Sequence, residues 1–150
     1  MFINIVIGCV VVFLTTVVHT LAMIAVLGVI NIAHADHWVP RSPLTRLLVV
    51  AALILMMFLA TLVEAVLWAV SYLALGAISG VEQALYFSTV TYTTLGYGDV
   101  TAADGWKLLS AFEAVNGIIM FGWTTALIVA AVQRVYFMHP TAGGHGASTQ

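Results

Sequence analysis

Polar residues enter this chain at long intervals, and three apolar stretches run between them. The first covers 3–32 and is interrupted midway by Thr15, Thr16, His19 and Thr20. The second covers 47–75 and carries one charge, Glu64; the third covers 108–135, with Glu113 and Asn116 near its start. A helix needs roughly 20 apolar residues to cross a bilayer, so each stretch predicts a spanning helix. Between the second and third lies "EQALYFSTVTYT", 82–93, too short to cross. It reads as a short helix on which Ala84, Leu85, Phe87 and Ser88 share a face with Thr91 at i+3/i+4 spacing. The segment after it, "TLGYGD" at 94–99, is too rich in Thr and Gly to prolong a helix.

Composition turns this pattern into a class. Hydrophobic residues make up 63% and charged residues 7%, with a mean hydropathy of +1.12. A soluble domain carries about 25% charged residues, so this chain lacks the polar surface that water demands and reads as an integral membrane protein. A net charge of −2 with four basic residues excludes a nucleic-acid surface. The lone Cys9 allows no intrachain disulfide. "IAHAD" at 32–36 offers a signal-like cleavage site, but no Lys or Arg precedes the first stretch and it is about twice the length of a signal core. A retained helix is expected. Arg41, Arg46 and Arg134 flank one side and Lys107 the other, which puts the 34–46 loop and the C-terminus in the cytoplasm and the N-terminus outside. Trp38, Trp106, Tyr72 and Tyr136 fall near predicted helix ends as interfacial anchors. The tail 137–150 is small and polar and is expected to be poorly ordered.

Backbone polar groups are not left bare in hydrocarbon. The short 82–93 stretch and its Gly-Tyr-Gly turn must therefore enter from one side and return to it, shielded by protein, with backbone facing a water-filled passage. Glycine accepts positive φ, so Gly96 and Gly98 let consecutive carbonyls turn to one side. A column of carbonyls aimed at an axis replaces the water around a cation.

The segment Thr94-Leu95-Gly96-Tyr97-Gly98-Asp99 resembles the selectivity filter of potassium channels. "ALYFSTVTYTTLGYGDV" resembles pore helix and filter together, and "GWKLLSAFEAVNGIIMFGWTTALIV" is similar to the inner helix of the small bacterial channels. The resemblance covers 47–136 and leaves out the first helix. It implies an all-α membrane protein of three transmembrane helices plus a re-entrant pore helix and a filter loop: an extra helix over 1–33, an outer helix over 47–75, a pore helix over 82–93, the filter over 94–99 and an inner helix over 107–136. It implies further that the carbonyls of Thr94, Leu95, Gly96 and Tyr97, with the Thr94 hydroxyl, line successive K⁺ sites. Leu95 and Tyr97 would point away from the axis and brace against the pore helix. Tyr86 and Phe87 occupy its aromatic cuff. Phe87 has no donor where the family often has Trp, so the Thr91 hydroxyl is expected to bond Tyr97. Val90 stands where some members have a Glu paired with the filter Asp; that pair is missing.

One chain supplies one strand of carbonyls, and the motif occurs once, so four copies are expected around a common axis. The expected function is passive K⁺ conduction across the plasma (inner) membrane by a homotetramer in lipid, with no cofactor beyond the permeant ion and no enzymatic activity, since no nucleophile–base pair or metal cluster appears. A weakly selective cation pore and a non-conducting regulatory subunit are the alternatives. No arginine series marks a voltage sensor. Gly117 and Gly122 are either hinges of the inner helix or small residues for close packing. Thr124 and Thr125 either line a cavity or bond back to their own helix. Glu82 either gathers cations outside or complements a helix N-terminus. Glu113 is placed to bond behind the filter, toward the pore helix. His19 and Glu64 sit near mid-helix, within reach of each other if their helices are antiparallel, as structural glue or as a pH-sensitive pair. His34 and His37 are too sparse for a metal site.

Overall fold

The computed structural model describes residues 2–35 and 42–136, with backbone alone for 29–35. His37, Trp38, Arg41, the His34 side chain and the 137–150 tail therefore lie outside the described residues. The described chain forms four α-helices: α1 Phe2–Ala35, α2 Pro43–Ala74, α3 Val81–Tyr92 and α4 Lys107–Tyr136, with a single 3-10 turn at Asp104–Trp106 before α4. No strand occurs among the described residues.

The helix boundaries follow local chemistry. α2 starts before its apolar run, because extended Ser42 precedes Pro43, whose missing N–H costs nothing in the first turn of a helix. It ends in a Schellman motif. Gly76, at φ +63°, donates its amide to the Leu73 carbonyl (3.1 Å), and Ala77 donates to Tyr72 (2.9 Å). α1, α2 and α4 are long and apolar enough to cross a membrane. The 12 residues of α3 rise about 18 Å, short of a roughly 30 Å hydrocarbon core.

α2 runs antiparallel to the others. Thr15 meets Asn116 and His19 meets Thr124, so α1 and α4 run side by side in one direction; His19 meets Glu64, and Ser88 meets the Ala65 carbonyl, across α2. The start of α1, the end of α2, the start of α3 and the start of α4 thus share one end of the bundle. There the Asn4 amide donates to the Gly105 carbonyl (2.6 Å), and the Ala103 amide to Ala77 (3.1 Å). One apolar core gathers Trp68, Tyr72, Phe87, Tyr92, Leu109 and Met120 at this end; a second holds Val26, Leu53, Met57, Leu127 and Ala131 toward the other.

The packing is inside-out relative to a soluble protein. Phe2, Phe13, Leu21, Leu47, Leu55, Phe58 and Ile118 are exposed, while Asn4, Thr15, His19, Glu64, Ser88, Glu113 and Asn116 are buried. Hydrocarbon offers polar side chains no partners, so they turn inward to one another and apolar side chains face out. Tyr72, expected as an interfacial anchor, belongs to the buried set: it is fully enclosed, and its hydroxyl has found a carboxylate.

Candidate functional site

α3 ends at Tyr92, and the chain folds back over its last turn. The amide of Thr94 donates to the Thr91 carbonyl (2.9 Å), and those of Leu95 and Gly96 both donate to Val90 (3.0 and 3.2 Å). The 94–99 segment thus hangs from the C-terminal carbonyls of α3. Its φ angles are positive at every second residue: Thr94 at +61°, Gly96 at +55° and Gly98 at +77°. The glycines adopt this region freely. Thr94 does not; a β-branched residue there is a genuine outlier, costing of order 1–3 kcal/mol and characteristic of functional segments.

Leu95 and Tyr97 lie 56% and 67% exposed. Behind the segment, between α3 and α4, is a cavity of ≈ 360 Å³ lined by Phe87, Val90, Thr91, Thr94 and Ala114 among others. Thr91 lines this cavity, and among the described residues no hydrogen bond joins its hydroxyl to Tyr97. Tyr86 instead reaches the end of the segment: its hydroxyl donates to Asp99 Oδ2 (2.7 Å), and the Val100 amide donates to Asp99 Oδ1 (3.0 Å). The Tyr86 bond holds the Asp99 carboxyl below the usual carboxylate range and pushes the Tyr86 hydroxyl above the usual phenol value.

Two buried carboxylates support α3 from behind. Glu113 of α4 accepts from the Tyr72 hydroxyl (2.7 Å), and its other oxygen lies 2.5 Å from Ser88 Oγ, itself 2.6 Å from the Ala65 carbonyl. The expected contact of Glu113 with the short helix is therefore made through Ser88, with Tyr72 added. Glu64 of α2 accepts from the Tyr92 hydroxyl through Oε2, and its Oε1 lies 2.8 Å from His19 Nδ1. In the tautomer that protonates Nδ1, His19 donates to Glu64, and Nε2 accepts from the Thr124 hydroxyl at 3.3 Å.

The remaining candidates separate. A Cβ on Gly117 would lie 1.9 Å from the Tyr92 carbonyl oxygen, whereas Gly122 has nothing within 4 Å. Close packing thus accounts for glycine at 117 and not at 122. Thr124 turns toward His19, and Thr125, exposed, bonds back to the Phe121 carbonyl (2.8 Å). Glu82 is exposed in the first turn of α3. Sequence reasoning missed Tyr92, as well as the bond from Asn116 Nδ2 to Thr15 Oγ1 (2.8 Å). The signal for Tyr92 was its place four residues after Ser88, on the buried face of α3.

Residues 44–134 match the model of a family described as ion channel. No curated protein and no solved structure matches the chain.

Proposed function

Because the chain belongs to the ion channel family, we propose that it is the subunit of a potassium-selective channel, with 94–99 as the selectivity filter and α3 as a re-entrant pore helix. The observation that carries this reading is the alternation of φ sign through Thr94, Gly96 and Gly98. The amides of Thr94, Leu95 and Gly96 all turn to carbonyls at the end of α3, and the C=O and N–H of a trans peptide point in opposite directions, which supports the carbonyls of Thr94, Leu95, Gly96 and Tyr97 forming one row on the far side. Such a row replaces the hydration shell of K⁺, and neighbouring ions drive one another along it. The C-terminal end of α3, which carries the negative pole of its dipole, meets the start of this row.

One row does not surround an ion, and four copies about an axis do. The exposure of Leu95 and Tyr97 supports this assembly, since a neighbouring copy would cover both. Tyr86, Phe87 and Thr91 border the cavity that would receive such a neighbour. Glu113 supports the pore helix through Ser88. Gly122, with no packing demand upon it, is the better of the two hinge candidates.

Purified protein in liposomes under a K⁺ gradient tests the proposal. Wild type is expected to give a reversal potential near that of K⁺ and to exclude Na⁺, and Gly96→Ala to abolish flux, because φ +55° is strained for any residue with a Cβ. Equal passage of Na⁺ and K⁺, or no passage at all, would overturn it.

A further inference from the structure

We propose that α1, which precedes the ion channel domain, is a working part of the ion pathway, and that its His19 is a positioning residue for the 94–99 segment, acting through Glu64 and Tyr92. The inference rests on the channel reading for its consequence and on the geometry of one buried carboxylate for its mechanism.

Three helices meet at Glu64, and a fourth reaches it through His19. From α2 it offers Oε1 to His19 of α1 and Oε2 to the Tyr92 hydroxyl of α3. His19 is held in turn by Thr124 of α4, and its ring lies 5.5 Å from that of Trp123. His19, Glu64 and Tyr92 are all 0% exposed. A carboxylate so enclosed is stable only when its oxygens are hydrogen-bonded, and the described partners come from α1 and α3. Removing the His19 ring leaves Oε1 without its partner. Glu64 must then turn toward another donor, and Tyr92 is held through the same carboxylate.

Tyr92 is two residues before Thr94. Its side chain is fixed by Glu64 on one side and its carbonyl lies against Gly117 of α4 on the other. The last turn of α3 is therefore clamped at both ends of this residue. The amides of Thr94, Leu95 and Gly96 hang from Thr91 and Val90 in that same turn, so any shift of the turn passes directly into the segment. The Asn4–Gly105 and Asn116–Thr15 bonds hold α1 in register beside α4 and keep His19 at the depth of Glu64.

Two measurements on the full chain test this. The first is hydrogen exchange of the Leu95 and Gly96 amides, which requires no conduction. His19→Ala and Tyr92→Phe are expected to speed it about tenfold while the size of the purified assembly is unchanged. His19→Gln, whose side-chain amide offers a donor to the same oxygen, is expected to restore most of the protection. The double variant His19→Ala/Tyr92→Phe should exceed neither single variant, and Thr16→Val, which only breaks a bond to Val12 within α1, should match wild type. The second is the K⁺/Na⁺ permeability ratio in liposomes, expected to fall with the same ranking. Unchanged exchange in both single variants, or a Gln no better than Ala, would overturn the inference. A wild type without K⁺ current would sink the potassium reading instead, and the exchange arm would still decide whether His19 positions the segment.

Discussion

Tyr86 and Asp99 show how one hydrogen bond sets a pH window. Asp99 titrates below its ordinary value because the Tyr86 hydroxyl donates to it. A carboxyl with a depressed folded value contributes its stabilisation above the unfolded value, about 3.9, and loses it as pH falls through the folded one. Tyr86 is shifted upward, so its contribution is complete below about 10 and fades as pH rises through the raised value. The Asp99 end of the segment should therefore be indifferent to pH from about 5 to 9. Tyr86→Phe removes the donor, and acid-induced loss of K⁺ selectivity is expected to begin at higher pH than in wild type; coincident acid limbs would refute it. At this scale the sequence was partly legible. Glu113 meets the short helix at Ser88, and the sequence hints at an inward contact because an ionisable residue within a membrane helix faces protein. Tyr72 was misread, because a tyrosine near a helix end looks the same whether its hydroxyl meets water or a buried carboxylate.

Helices are where the sequence speaks most clearly, since a span needs only length and apolarity. The inward face of α1 is also written in it: Asn4, Gly8, Val11, Thr15, His19 and Val26 recur at three- and four-residue steps, counting two steps from His19 to Val26, and all are buried. What that face touches is not written. The contact between α3 and α4 is the sharpest case. A Cβ at Gly117 would stand 1.9 Å from the Tyr92 carbonyl oxygen, and a backbone atom in a helix end cannot swing aside as a side chain can. Gly117→Ala is therefore expected to cost about 3 kcal/mol or more, read as a lowered midpoint in denaturant titration. Gly122→Ala, in open space, is expected to leave stability nearly unchanged. Equal midpoints for the two would refute this packing account.

For the whole molecule, the proposed channel calls for more than one chain, since the 94–99 segment of a single chain would form one wall and leaves Leu95 and Tyr97 exposed. If four copies close around K⁺, the ion binds the assembled state alone and stabilises it by mass action. Melting in K⁺ is then expected at higher temperature than in Na⁺ at equal ionic strength, with the difference growing with K⁺ concentration and vanishing in Gly96→Ala. A melting point indifferent to the cation would count against ion coordination by this segment.

The sequence by itself determined the membrane class, the three spans and the singular Thr-Gly-rich segment. Each depends on local composition and spacing, which hydrocarbon and backbone sterics read directly. Only the tertiary structure decided that Glu64 joins α1 to α3, that Glu113 lies between Tyr72 and Ser88, and that Gly117 seats the end of α3. Those contacts join residues as many as 45 positions apart. They depend on the depth and rotation at which whole helices pack, and no local pattern specifies either.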